Sequence, residues 1–166
     1  VEAETHLITA DTSFINKLVL AVENIGVKVS GLVLEPLASG LAVLSPKEKM
    51  EGAVLVDIGG GTTDIVGFRR GRICYTGVIP IGGHQFTNDI AATYDTSYEV
   101  AEEVKLQHGS AYKTSPNEDQ YVSILLKDQE SILKVRKQEI SQLTSSRAIE
   151  LAELIGKEIR GINLGK

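Results

Sequence analysis

Several things are scarce in this sequence, and each scarcity closes a class of protein. There is one cysteine, Cys74, among 166 residues, so no disulfide framework can form within the chain. That fits a reducing compartment, and a small apolar strand residue is a plainer reading of Cys74 than a reactive thiol. No apolar run approaches the roughly 18 residues of a membrane-spanning helix, and the start lacks the form of a signal peptide. Basic charge is not in excess. The 17 Lys and Arg against 22 Asp and Glu leave a net charge of −5, which offers no electrostatic footprint for nucleic acid. No internal repeat and no low-complexity tract is visible. What remains, 42% hydrophobic and 23% charged residues, is the balance of a globular domain of usual size with enough chain for a real core.

The stretch that organises the rest is Val54–Phe68, VLVDIGGGTTDIVGF. An apolar strand runs into an acid, three glycines, two threonines and a second acid, and a second apolar strand follows. Successive backbone N–H groups in such a bend make an anion-binding concavity, to which the Thr62 and Thr63 hydroxyls add donors. Asp57 and Asp64 flank it and offer the oxygen ligands that Mg²⁺ prefers, reached through its waters. The simpler alternative is a tight hairpin whose glycines serve only the turn. Hairpins favour Asn-Gly or Asp-Gly over two residues, and three glycines between acids exceed that need. The stretch is neither a Walker loop nor a dinucleotide fingerprint, both of which open a helix.

Along the chain, Val1–Thr9 reads as a strand. Asp11 or Thr12 caps a helix whose Phe14, Ile15, Leu18, Val19, Val22 and Ile25 recur at helical spacing, with Gly26 as its terminator. Val27–Leu34 reads as a second strand. Pro36 suits the first turn of a short helix over Leu37–Leu44, whose small residues allow close packing. Glu35 then lies between a strand end and a helix start, where open α/β sheets bind ligands, or is simply a solvated acid. Ser45–Gly52 reads as a loop, Arg69–Arg72 as a solvated turn, and Ile73–Ile81 as a strand ended by Gly82-Gly83. A helix over His84–Tyr94 and one from Ser97 to His108, opened by a Thr96–Glu99 capping box, come next. Tyr112–Gln120 is a loop, and Tyr121–Leu126 with Ser131–Lys137 forms a small hairpin. A final helix runs from Gln138, broken near Thr144–Ser146. Both ends of the chain read as cut edges of something longer.

Three separated pieces now agree. EPLASG at Glu35–Gly40, DIGGGTTD at Asp57–Asp64 and AEEVK at Ala101–Lys105 with Gly109 together resemble the superfamily of actin, DnaK chaperones and sugar kinases. Within it, HLIT at His6–Thr9, LEPLASGLAVL at Leu34–Leu44, VIPIGGHQFTNDIA at Val78–Ala91 and AEEVKLQHGSA at Ala101–Ala111 resemble FtsA, the bacterial cell-division family. Filament proteins of the MreB type, pilus-assembly proteins of the PilM type and DnaK-type chaperone ATPases are the relatives to be told apart from it.

The resemblance implies an α/β fold of the actin-like ATPase (ribonuclease H-like) type: a mixed sheet with flanking helices and a small α+β subdomain, present as a partial fold. Residues 1–50 would be the C-terminal part of domain I, 51–82 the start of subdomain IIA, 83–140 subdomain IIB, and 141–166 the returning helix of IIA. It implies ATP with Mg²⁺ as cofactors. Gly59, Gly60, Gly61, Thr62 and Thr63 would hold the phosphates, Asp57 would lie near the metal, and Glu102 and Lys105 would meet the nucleoside. Glu35 would approach the metal and the terminal phosphate, and Asp64 would position an attacking water. The implied partners are the FtsZ C-terminal tail through IIB, other copies in a filament, and other divisome proteins. Membrane contact would come only through a helix outside this segment, and the place of work would be the inner face of the cell membrane at the division site. At most a weak ATPase is implied for the parent, with this segment inactive alone.

Overall fold

The computed structural model describes residues 5–112 and 120–162. They form two compact units, one drawing on residues 5–55 and 66–76, the other on 56–65 and 77–162. The division passes through all three strands of the larger sheet, β1 (Ala53–Ile58), β2 (Thr63–Arg69) and β3 (Arg72–Ile79), which lie in the order β1-β2-β3.

In the first unit, α1 (Thr12–Glu23) is capped by Asp11, whose carboxylate accepts from Phe14 N–H at 2.8 Å. An acid one residue before the helix satisfies an amide that has no partner within it. The chain leaves α1 through Gly26 at φ +85°. Then α2 (Glu35–Val43) begins with Glu35 itself and takes Pro36 in its first turn. Gly40 is buried against Phe68, and a Cβ there would lie 2.7 Å from the ring. Phe68 packs with Leu55 and Val66, and Leu44 and Ile73 close this small core.

Three expectations for this unit are corrected. Ser45–Gly52 is not a loop, because Pro46–Glu51 forms α3. Ser45 Oγ accepts from Glu48 N–H at 3.2 Å while the Glu48 carboxylate accepts from Ser45 N–H at 2.8 Å. This reciprocal cap starts a helix that has no apolar stripe to announce it. Residues 5–9 of the first expected strand belong to no strand, and residues 1–4 lie outside the described set. Residues 27–34 form no strand either, and Val27, Leu32 and Val33 are exposed. A strand needs paired backbone as well as an apolar pattern, and among the described residues neither segment joins a sheet. Glu35 therefore follows an unpaired segment that ends on an extended Leu34, not a strand. The arginine turn matches its expectation, with Arg70 and Gly71 at positive φ and Gly71 N–H donating to Lys49 O at 2.9 Å.

The second unit holds α4 (Gly83–Tyr94), α5 (Tyr98–His108), the antiparallel pair β4 (Tyr121–Leu125) and β5 (Ile132–Arg136), and α6 (Lys137–Arg160). Alternation puts Val122 and Ile124 inward from β4, with Val135 directly opposite Val122. These pack with Ile90, Tyr94, Ala101, Val104 and Ile140 from the three helices. Arg147 of α6 clamps α4 by two bonds to the Asp89 carboxylate, at 2.7 and 2.8 Å. The expected cap on α5 is corrected: Ser97, not Thr96, accepts from Val100 N–H. Thr96 is buried and donates its hydroxyl to Leu125 O instead. The expected break at Thr144–Ser146 is also absent. Thr144, Ser145 and Ser146 turn their hydroxyls back to carbonyls three or four residues earlier, so the helix absorbs its own polar run. Of the expected Tyr112–Gln120 loop, residues 113–119 lie outside the described set. Among the described residues no helix is long and apolar enough to cross a membrane.

Candidate phosphate-binding site

Strands β1 and β2 deliver the glycine turn, and α4 fixes its orientation. Gly59 N–H donates to Thr62 O at 2.9 Å, which closes the bend. The next two carbonyls are taken by the start of α4: Gly83 N–H donates to Gly59 O at 2.9 Å and His84 N–H to Gly60 O at 2.7 Å. Helix-start amides have no partner within their own helix, and here the turn satisfies them. A trans peptide unit points its N–H opposite its C=O, and no peptide bond among the described residues is cis. With the carbonyls of Gly59 and Gly60 directed at α4, the amides of Gly60 and Gly61 are directed away from it. Among the described residues these two amides have no acceptor, and both glycines are exposed. The turn is a pair of aimed, unpaired donors.

None of the glycines from 59 to 61 is needed for an unusual dihedral, since none has positive φ, and space constrains Gly60 most. A Cβ on Gly60 would lie 2.7 Å from His84 Nε2, whereas one on Gly61 would meet nothing within 4 Å. The tightest position is Gly82, where a Cβ would lie 2.5 Å from Gly59 O and 2.6 Å from Gly60 O. Sequence reasoning took Gly82 only as a strand terminator, although the Gly-Gly pair just before a helix marks a close backbone approach. Gln85 completes the lock by accepting from Gly82 N–H at 2.8 Å and donating to Pro80 O at 3.1 Å.

The side chains divide. Thr62 is exposed and donates to the Asp64 carboxylate at 3.2 Å. Thr63 corrects an expectation: it is fully buried, and its hydroxyl donates to Ile81 O at 2.7 Å. It ties the exit of the turn to the end of the β3 segment, and its hydroxyl proton is committed there. The Gly59 amide, closed on Thr62, is likewise withdrawn from the donor set. Asp57 and Asp64 sit on the strands entering and leaving the turn, both half-buried. Their oxygens suit a hard cation, but no cluster of three or more metal-ligating side chains occurs among the described residues. Mg²⁺ would fit only with ligand phosphates and water completing its shell. Glu35 belongs to the first unit, exposed at the first position of α2.

Glu102 and Lys105 do come to the turn's neighbourhood, as a pair. Lys105 Nζ lies 2.6 Å from the Glu102 carboxylate, 3.0 Å from Thr87 Oγ1 and 3.3 Å from Gly83 O. An ammonium has three protons, so all three are occupied, one of them by the peptide that begins α4. Thr87 also donates to Glu102. The hydrogen bond from Lys105, and then that from Thr87, hold the Glu102 carboxyl below its ordinary pKa. Thr87 was not anticipated from sequence, where a threonine one turn into a helix carries no signal. Beside the turn, a cavity of about 350 Å³ opens between Gly59, Gly83 and Phe86 and the α6 residues Ala148, Leu151 and Ile155.

The fold of the chain is shared with solved structures. MreB5 of Spiroplasma citri bound to ADP superimposes with TM-score 0.71 at 20% identity, over 92% of this chain and 49% of that one. A PilM-PilN type IV pilus biogenesis complex gives TM-score 0.62 at 18% identity, over 86% and 34%. The fold is that of the actin-like ATPases. Sequence comparison goes further. The model of the family "Cell division protein FtsA" matches residues 54–164. FtsA of Bacillus subtilis (strain 168) is 36% identical over 98% of this chain, and FtsA of Escherichia coli (strain K12) 35% over 95%. The chain belongs to the FtsA family of cell-division proteins, and it spans 37% and 38% of the length of those two relatives.

Proposed function

We propose that this chain carries one wall of an ATP site in an actin-like cell-division protein that uses nucleotide as a conformational switch. The observation that carries the reading is the pair of outward amides at Gly60 and Gly61, held by α4 and left without acceptors among the described residues. They would receive the phosphates, with the Thr62 hydroxyl as a third donor once it turns from Asp64. Asp57 would hold Mg²⁺ through water, and Asp64 would orient a water against the terminal phosphate. Glu35 would approach the same phosphate from domain I. The Glu102–Lys105 pair would stand at the nucleoside, with Glu102 the better placed of the two, because Lys105 has no spare proton while the pair is intact. The nucleotide-bound ADP and AMPPNP structures of Spiroplasma citri MreB5, which share this fold, support nucleotide as the ligand.

Phosphoryl transfer draws on charge stabilisation from several sides. One turn supplies only part of that, so this segment alone would bind ATP weakly. Subdomain IIB would be residues 83–140, and it would meet the FtsZ C-terminal tail. Self-association into filaments and a membrane tether outside this segment complete the proposed role. The test is calorimetry of Mg-ATP with the chain and with Gly61→Val, which fills the open space in front of the donors. We expect weak binding that the substitution abolishes while folding is retained. Equal binding by both proteins contradicts the reading. A pull-down with an FtsZ C-terminal peptide tests the partner, and failure to retain it removes that part alone.

A further inference from the structure

One titratable side chain touches the phosphate turn and has no part in the reading above. His84 donates its backbone N–H to Gly60 O, and its ring lies where a Gly60 side chain would be, with Nε2 2.7 Å from that Cβ position. By covalent geometry Nε2 is then roughly 6 Å or less from the Gly60 amide nitrogen. That lies inside the ~8 Å screening length at physiological salt. The ring is exposed. It leans on Tyr98 of α5, ring centroids 6.0 Å apart at 47°. A charged group near it is Glu102, also of α5, whose carboxylate is already paired with Lys105. Lys105, the site's ammonium, is committed to Glu102, Thr87 and Gly83. Among the described residues, the imidazole is a group next to the aimed amides that, on protonation, could be given to an anion.

We propose that His84 is a phosphate-binding residue of this turn: protonated, its imidazolium joins the Gly60 and Gly61 amides in holding a polyphosphate. This rests on the phosphate reading of the turn and adds a pH dependence to it. Binding of the anion and protonation of His84 are linked. A polyphosphate beside the ring raises its pKa, and affinity rises as pH falls through that of the imidazole. At this separation in a solvent-exposed site, the effect expected is about threefold to tenfold in affinity, which is about half to one pH unit in the ring's titration.

The experiment titrates the chain with inorganic pyrophosphate while two sets of resonances are followed: the Gly60 and Gly61 amides, and the imidazole C–H signals of His6, His84 and His108. The expected result is movement of both amides together with an upward shift of the His84 titration, His6 being unmoved. His84→Gln should lower pyrophosphate affinity about threefold to tenfold at pH 6 and leave it equal to the parent at pH 8. Taking the ratio of the two proteins at each pH cancels the titration of pyrophosphate itself. If the amides move and His84 does not, the inference fails and the turn stands. If neither moves, the phosphate reading fails and His84 falls with it. A loss of affinity in His84→Gln that is the same at both pH values overturns the charge role.

Discussion

Substituting Gly82 by Ala probes the lock between the turn and α4. The new Cβ would sit 2.5 Å from Gly59 O, 2.6 Å from Gly60 O and 2.7 Å from Gly60 C. All three are backbone atoms, so no side chain can swing aside. The start of α4 must move away, which breaks Gly83 N–H to Gly59 O and His84 N–H to Gly60 O. Two neutral hydrogen bonds contribute about 1–3 kcal/mol together, and forcing an atom into a packed site costs about 1–3 kcal/mol. The terms overlap, and the expected loss is about 2–4 kcal/mol. In a chain of this size that lowers Tm by roughly 4–16 °C. Urea denaturation would show a lower midpoint with an unchanged slope. Gly61→Ala is the matched control: its Cβ meets nothing within 4 Å, so its stability should stay within about 0.5 kcal/mol of the parent or rise. If Gly82→Ala is as stable as the parent, the two backbones are not in contact and the orientation of the turn loses its explanation.

Other outcomes follow from the same geometry. Arg147→Ala leaves the half-buried Asp89 carboxylate without its two-pronged partner and should cost about 1–3 kcal/mol in urea denaturation. Thr144→Val removes the hydroxyl that accepts from Ser110 N–H at 2.9 Å; a loss of about 1–3 kcal/mol is expected, with the Ser110 amide exchanging faster with solvent. The Glu102 carboxyl has its pKa lowered in the folded protein. The stability it contributes is therefore complete above the unfolded value of about 4.3 and is lost as pH falls through the lower folded value. Glu102→Gln should flatten the acid limb of the stability curve in that window, and an unchanged limb would show that the pair with Lys105 does not act on folding.

How much could be read from the letters depended on whether a residue acts through its neighbours in the chain or through distant ones. The donor turn was legible because strand, acid, three glycines and strand are consecutive. The small hairpin was legible from its alternation, and α4 and α5 from their periodicity. The lock by Gly82 was not, because it joins residue 82 to residues 59 and 60 across space. The same applies to Thr63, whose hydroxyl looks like a ligand donor until Ile81 O is found beside it. Glu102 and Lys105 were placed at the site but read as separate contacts, although residues three apart on a helix face one another. Helix α3 was missed because only its cap, and no apolar stripe, encodes it. The pattern of residues 27–34 predicts a strand that does not form, because pattern reports burial preference and not backbone pairing.

The central claim is that the Gly60 and Gly61 amides face outward to receive phosphate. Amide chemical shifts of the chain during titration with Mg-ATP test it most directly. The account predicts that the largest changes fall on Gly60 and Gly61, with smaller ones at Thr62 and His84 and none at the Gly59 amide closed on Thr62. Changes confined to other residues, with Gly60 and Gly61 unmoved at saturating nucleotide, would contradict it.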